Sequence, residues 1–213
     1  MKVFLSYSNL DKNEAGQIKH ALEDYGLEVF LAHEDIQPSA QWVDRILAEL
    51  EACAVFLPIL TKNFDKSNWT DQEVGIALAL KKLMIPLKIT VDPYGFIGRF
   101  QALRIDINNI TPSCHKLAEA INSSPECGNL FRKALIRKFG DSDSYNNAGH
   151  NTELLISFQG YTSYQVTKIV RYTIVNNQIN GSYKSKRMLR DFIYGYRNDI
   201  HPNLYGSFRR RTT

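Results

Sequence analysis

Eight consecutive residues, Cys53-Ala54-Val55-Phe56-Leu57-Pro58-Ile59-Leu60, carry no polar side chain. Successive strand residues point to opposite faces, so a strand of this composition needs apolar cover on both sides. Neither this run nor the one from Val74 to Leu80 is long enough to span a bilayer. A short, wholly apolar run bounded by polar residues therefore predicts a strand of a parallel sheet sandwiched between helices.

The neighbouring segments follow the same plan. Lys2-Val3-Phe4-Leu5 reads as a short apolar strand ending in the small hydroxyl residues around Ser6, Tyr7 and Ser8. Asp11 to Tyr25 places Ala15, Ile18, Ala21, Leu22 and Tyr25 on one helical face, and Gly26 is positioned to stop it. Leu27 to Leu31 is a second strand, followed by a polar loop from Ala32 to Ala40. Helix over Trp42 to Leu50, strands over Met84 to Ile89 and Leu103 to Ile107, and a closing helix over Pro112 to Ile121 complete the alternation. The predicted class is α/β, a doubly wound parallel sheet, with a ligand crevice beyond the carboxyl ends of the strands.

Within this frame, Ser67-Asn68-Trp69-Thr70-Asp71-Gln72-Glu73 leads into the apolar helix Val74 to Leu80. Trp69 and Glu73, four apart, share a helix face, and a carboxylate at the mouth of so apolar a helix is either a cap or a catalyst. The spacing Thr70-x-x-Glu73 fits a capping box, in which the glutamate bonds back to the N-cap amide. Trp69 reads equally as a packing residue or as the dry wall of a site.

The segments VFLSYS, HEDIQPSAQW, AVFLPIL, SNWTDQE and IPLKI, in that order, resemble a TIR (Toll/interleukin-1 receptor) domain over about residues 1 to 124. The resemblance implies a flavodoxin-like fold. It also implies that Glu73, four residues after the tryptophan of a Ser-x-Trp motif, is the catalytic residue for cleaving NAD. Ser6, Tyr7 and Ser8 are then expected at the substrate pocket, with Glu34 and Asp35 as another wall and Trp69 beside the acid. His33 borders that pocket. One departure is Ser39 preceding Trp42, where the family usually has a glycine; serine tolerates positive φ poorly.

NAD enters as substrate, and neither a cofactor nor a metal is expected. Nicotinamide departs as a neutral molecule from a cationic ring, so the acid's task is to orient the ribose and stabilise its growing positive charge. Water as nucleophile gives ADP-ribose, and an adenine nitrogen or ribose hydroxyl of the same molecule gives a cyclic product. A lone TIR domain with a modest C-terminal extension resembles in layout the signal-making subunits of bacterial Thoeris-type antiphage systems. That layout implies self-association through TIR domains, a separate effector that responds to the nucleotide product, and a phage component as trigger. The alternative is a non-catalytic TIR scaffold that binds other TIR domains.

Charge separates the two ends. Residues 1 to 125 carry 12 Lys and Arg against 16 Asp and Glu, and residues 126 to 213 carry 14 against 6, giving +4 for the whole. The second part is expected to be a small helical region, with Val166, Ile169, Val170 and Ile174 in one helix and Leu189, Phe192 and Ile193 in another. The polar stretch near 140–152 reads as a linker, and Arg209-Arg210-Arg211 as a disordered tail. Arg171, Lys184, Lys186, Arg187 and Arg190 with Tyr172 and Tyr183 invite a nucleic-acid reading. It is set aside because no nucleic-acid motif accompanies them; the tyrosines are expected to seal the helices instead.

The three cysteines, Cys53, Cys114 and Cys127, lack paired metal-ligand spacing and are expected as reduced thiols. The chain shows no secretory pattern, because the opening apolar run turns polar at Ser6. A cytoplasmic protein that spans no membrane is the expectation. His20, His115, His150 and His201 are read as surface residues.

Overall fold

A computed structural model describes residues 1–32 and 41–212, with side chains from residue 43 onward in the second stretch. Contacts divide the chain into two compact units, Met1–Gly128 and Asn129–Thr213.

In the first unit, β1 (Lys2–Ser6), β2 (Glu28–Leu31), β3 (Val55–Leu60), β4 (Leu83–Met84), β5 (Leu87–Lys88) and β6 (Leu103–Arg104) form one parallel sheet. Its order is β2-β1-β3-β5-β6, with β4 also paired to β3. The connecting helices are α1 (Lys12–Glu23), α2 (Gln41–Ala52), α3 (Thr70–Ala79) and α4 (Ile110–Ser123). The order reverses direction between β1 and β3, which makes their carboxyl ends the switch point where such sheets bind ligands.

The expected strand Met84 to Ile89 is broken in two. Pro86 has no N–H to give to the ladder, so Leu83–Met84 pairs beside Val55 and Phe56 while Leu87–Lys88 pairs beside Ile59 and Leu60.

One row of side chains explains which helix meets which strand end. Phe4 is in register with Phe30 on one side and Phe56 on the other, with ring centroids 5.2 and 5.6 Å away. Together with Ile46 and Leu50 of α2 and Val74 and Ala77 of α3 they form one buried cluster. Burying each such ring contributes roughly 1.5–3 kcal/mol. Ser6 is two residues beyond Phe4 and therefore projects toward the same helix-covered face.

The second unit is helical, with α5 (Gly128–Gly140), α6 (Tyr145–Ile156), α7 (Ser163–Val175), α8 (Asn177–Gly181), α9 (Tyr183–Gly195) and α10 (Pro202–Thr212). Two sequence expectations are corrected here. The stretch read as a linker near 140–152 is a short turn followed by α6, whose N-cap Ser144 accepts from the Asn147 N–H. Its polarity reflects interior bonding: buried Asn151 donates through Nδ2 to Lys138 O, Ser142 Oγ and Asn147 Oδ1. The triple arginine belongs to α10, which is anchored by buried Phe208 and Thr212, and Arg190 donates to the Thr212 carbonyl. Among the described residues no helix is long and apolar enough to cross a membrane.

Candidate active site

Among the described residues of the first unit, three carboxylates are buried: Asp11, Glu49 and Glu73. Buried ionised groups are normally paired or fully hydrogen-bonded, because desolvation otherwise costs several kcal/mol. Glu49 follows the rule, with Lys2 at 2.9 Å and Arg45 at 2.7 Å. Asp11 does too, accepting from Thr61 Oγ1 at 2.6 Å and Asn63 Nδ2 at 2.8 Å. Glu73 does not.

Glu73 lies in the first turn of α3 and is only 1% exposed. Its Oε2 accepts from Ser6 Oγ at 2.5 Å, while Oε1 is buried without a hydrogen-bond partner among the described residues. Burial pushes its pKa up to about 7, a rise that the Ser6 hydrogen bond partly opposes. The site thus holds a half-satisfied acid at the carboxyl end of β1, poised to change charge near neutral pH.

The capping-box expectation is overturned. The N-cap of α3 is Trp69 rather than Thr70, so Thr70 is already helical and Glu73 lies one position too far along. Thr70 Oγ1 donates to the Phe64 carbonyl at 2.6 Å, and the Glu73 side chain turns to β1. The Gln72 amide donates through Nε2 to the Asn68 carbonyl at 2.5 Å, and among the described residues no side chain caps the helix.

Ser6 is brought directly to Glu73, and Trp69, half-buried, stands one turn before it with its carbonyl accepting from the Glu73 N–H at 2.9 Å. Tyr7 is wholly buried and Ser8 nearly so. Glu34, Asp35, His33 and Ser39 lie outside the described residues, as does the side chain of Trp42. Sequence reasoning missed the pair formed by Asp11 and Thr61, with Asn63 beside it. The signal available was an acid three residues after Ser8, just past the end of an apolar strand.

Cys53, Cys114 and Cys127 are buried and unbridged, and burial raises all three thiols, Cys53 and Cys114 to about 11, so a thiolate nucleophile is disfavoured at neutral pH. Among the described residues no group of His, Cys, Asp or Glu is arranged to hold a metal ion. In the second unit Tyr183 is 78% exposed and seals nothing, against expectation, while Lys184 pairs with Glu153 at 2.6 Å.

A family model described as TIR domain matches residues 3–119. Nineteen solved chains match the structure. One is the TIR domain of the Toll-related receptor TRR-2 from Hydra magnipapillata, 19% identical, covering 62% of this chain and 96% of that one with a TM-score of 0.44. No curated protein matches the sequence.

Proposed function

This chain belongs to the TIR-domain family, and from that premise we propose that it is an NAD-cleaving enzyme with Glu73 as its catalytic residue. The observation that carries the reading is the unsatisfied Oε1 of a buried glutamate beside Ser6 at the sheet's switch point. A fold that satisfies Asp11 and Glu49 yet leaves Glu73 half-bonded holds an acceptor in reserve for a ligand.

In the proposed reaction the bond from the anomeric carbon to the nicotinamide nitrogen breaks, and its electron pair leaves with nicotinamide. The ionised Glu73 carboxylate faces the ribose as positive charge grows on it. Charge stabilisation of this kind counts for more in a site that excludes water. Ser6 holds Oε2, which leaves Oε1 as the oxygen without a protein donor among the described residues. A nucleophile then bonds to the anomeric carbon, water giving ADP-ribose plus a proton, and an internal adenine nitrogen or hydroxyl giving a cyclic product. Either product is suited to act as a messenger for a separate effector, and defence against phage is the role we assign to it. Self-association through TIR domains is expected to raise activity per molecule with concentration.

The test is chromatographic. Purified protein incubated with NAD over a wide concentration series should release nicotinamide, and Glu73→Gln should lower the rate by a factor of about 10²–10³. Activity should rise through about pH 7 as Glu73 ionises. A glutamine variant that matches wild type would remove Glu73 from the chemistry, and a blank for both under assembling conditions would favour the scaffold.

A further inference from the structure

Asp11 occupies the N-cap position of α1, where an aspartate ordinarily caps the helix, yet its side chain makes no cap hydrogen bond. Both carboxylate oxygens instead reach across to residues 50 and 52 positions away, Thr61 at 2.6 Å and Asn63 at 2.8 Å. A buried acid that forgoes a local stabilising bond for two distant ones is fixing the distance between two segments.

Those segments are the two sides of the candidate site. On the near side, the Asp11 N–H donates to Ser8 O at 2.8 Å, which fixes the turn that follows Ser6. On the far side, Thr61 Oγ1 also accepts from the Asn63 N–H at 3.1 Å, and the Phe64 N–H donates to Thr61 O at 3.2 Å. Phe64 O then receives the Thr70 hydroxyl at 2.6 Å, one turn before Glu73. An unbroken chain of short contacts runs from the turn after Ser6 to the first turn of α3.

We propose that Asp11 is a positioning residue that sets the Ser6–Glu73 contact by clamping the chain after β1 to the chain after β3. The proposal rests on the reading of Glu73 as the working acid. Asp11 itself touches neither member of the pair; it acts through Thr61 and the turn at Ser8. Loosening the clamp should lengthen the Ser6 donor bond while leaving Glu73 buried, and the bond's loss raises the tendency of Glu73 to stay protonated.

The experiment follows the Glu73 carboxyl directly, by carbon-13 NMR titration of glutamate-labelled protein, alongside NAD cleavage. Ser6→Ala calibrates the largest rise in midpoint that losing the donor can produce. Thr61→Val, which keeps the shape but not the hydroxyl, and Asp11→Asn should each move the midpoint upward toward that value and lower kcat about tenfold with KM little changed. Thr61→Ser should restore wild-type behaviour in both readings, which a purely packing role for Thr61 would not do. An unmoved Glu73 midpoint in folded Thr61→Val would overturn the proposal, as would an unmoved midpoint in Ser6→Ala. Should Asp11→Asn fail to fold, the Thr61 pair decides. If the wild type never cleaves NAD, the titration still tests the clamp, so the two failures remain distinct.

Discussion

The two units of this molecule each bury polar side chains, but they leave different atoms unsatisfied. Among the described residues of the helical unit, one buried group with an unbonded oxygen is Asn151, a neutral amide whose nitrogen already has three acceptors. In the sheet unit the carboxylate in that position is Glu73, an acid with one donor among the described residues. An unpaired amide oxygen costs about 1–3 kcal/mol and does nothing with pH, whereas an unpaired carboxylate changes charge and makes stability pH-dependent. The first is an imperfection of packing, and the second is the position we propose as reserved for a ligand.

That contrast can be broken at either unit. The largest effect is expected in the second, where Phe208→Ala should cost about 3–5 kcal/mol in thermal unfolding, as truncating a buried aromatic normally does. A negligible loss would mean that α10 is peripheral after all. NAD cleavage by the sheet unit should survive this change at temperatures below the shifted transition.

Next in size comes the stability of Glu73→Gln. A carboxyl with its folded pKa raised from 4.5 to about 7 binds its proton more tightly when folded, so its stabilising contribution is complete below pH 4.5 and is lost as pH rises through 7. Relative to glutamine, which never ionises, wild type should fall behind across that window and end on the order of 3 kcal/mol less stable at pH 8–9. Parallel melting curves from pH 4 to 9 test this. A glutamine variant that is less stable than wild type at high pH would place a favourable partner beside Glu73 and erase the contrast.

A smaller effect is expected at Gly140, the last residue of α5. A Cβ built there would come within 2.6 Å of the Tyr172 ring, so Gly140→Ala should push the ring aside and cost about 1–3 kcal/mol with no change in the Glu73 titration. Smallest is Arg211→Ala, an exposed position on α10, which should stay within about 0.5 kcal/mol of wild type.

How far the sequence could be read differs between the same two regions. The alternation of strands and helices was legible because β1 and β3 are apolar on both faces and α1 carries a clear helical stripe. The role of Glu73 was legible only as a choice between cap and catalyst, and a one-residue shift in the start of α3 decided against the cap. Helix ends are set by tertiary contacts such as the Thr70 bond to Phe64, which no local pattern encodes. The Asp11–Thr61 clamp was invisible for the same reason, since 50 residues separate its members. In the helical unit, Asn-rich and Arg-rich composition pointed to a linker and a tail. There Asn151, Asn176 and Ser144 bond helix ends from within, and Phe208 holds the arginine segment in place.

The separation of Ser6 from Glu73 by 67 positions bears on when, during synthesis, the chain acquires its acid site. Parallel strands have no hairpins to zip from, so β1 waits for β3 and for α3 behind it before any part of the pair exists. A nascent or proteolytically clipped chain that ends before α3 contains Ser6 and the strand but no glutamate to meet it. The Ser6–Glu73 pair therefore cannot exist by halves: whatever this acid does is withheld until the sheet has closed.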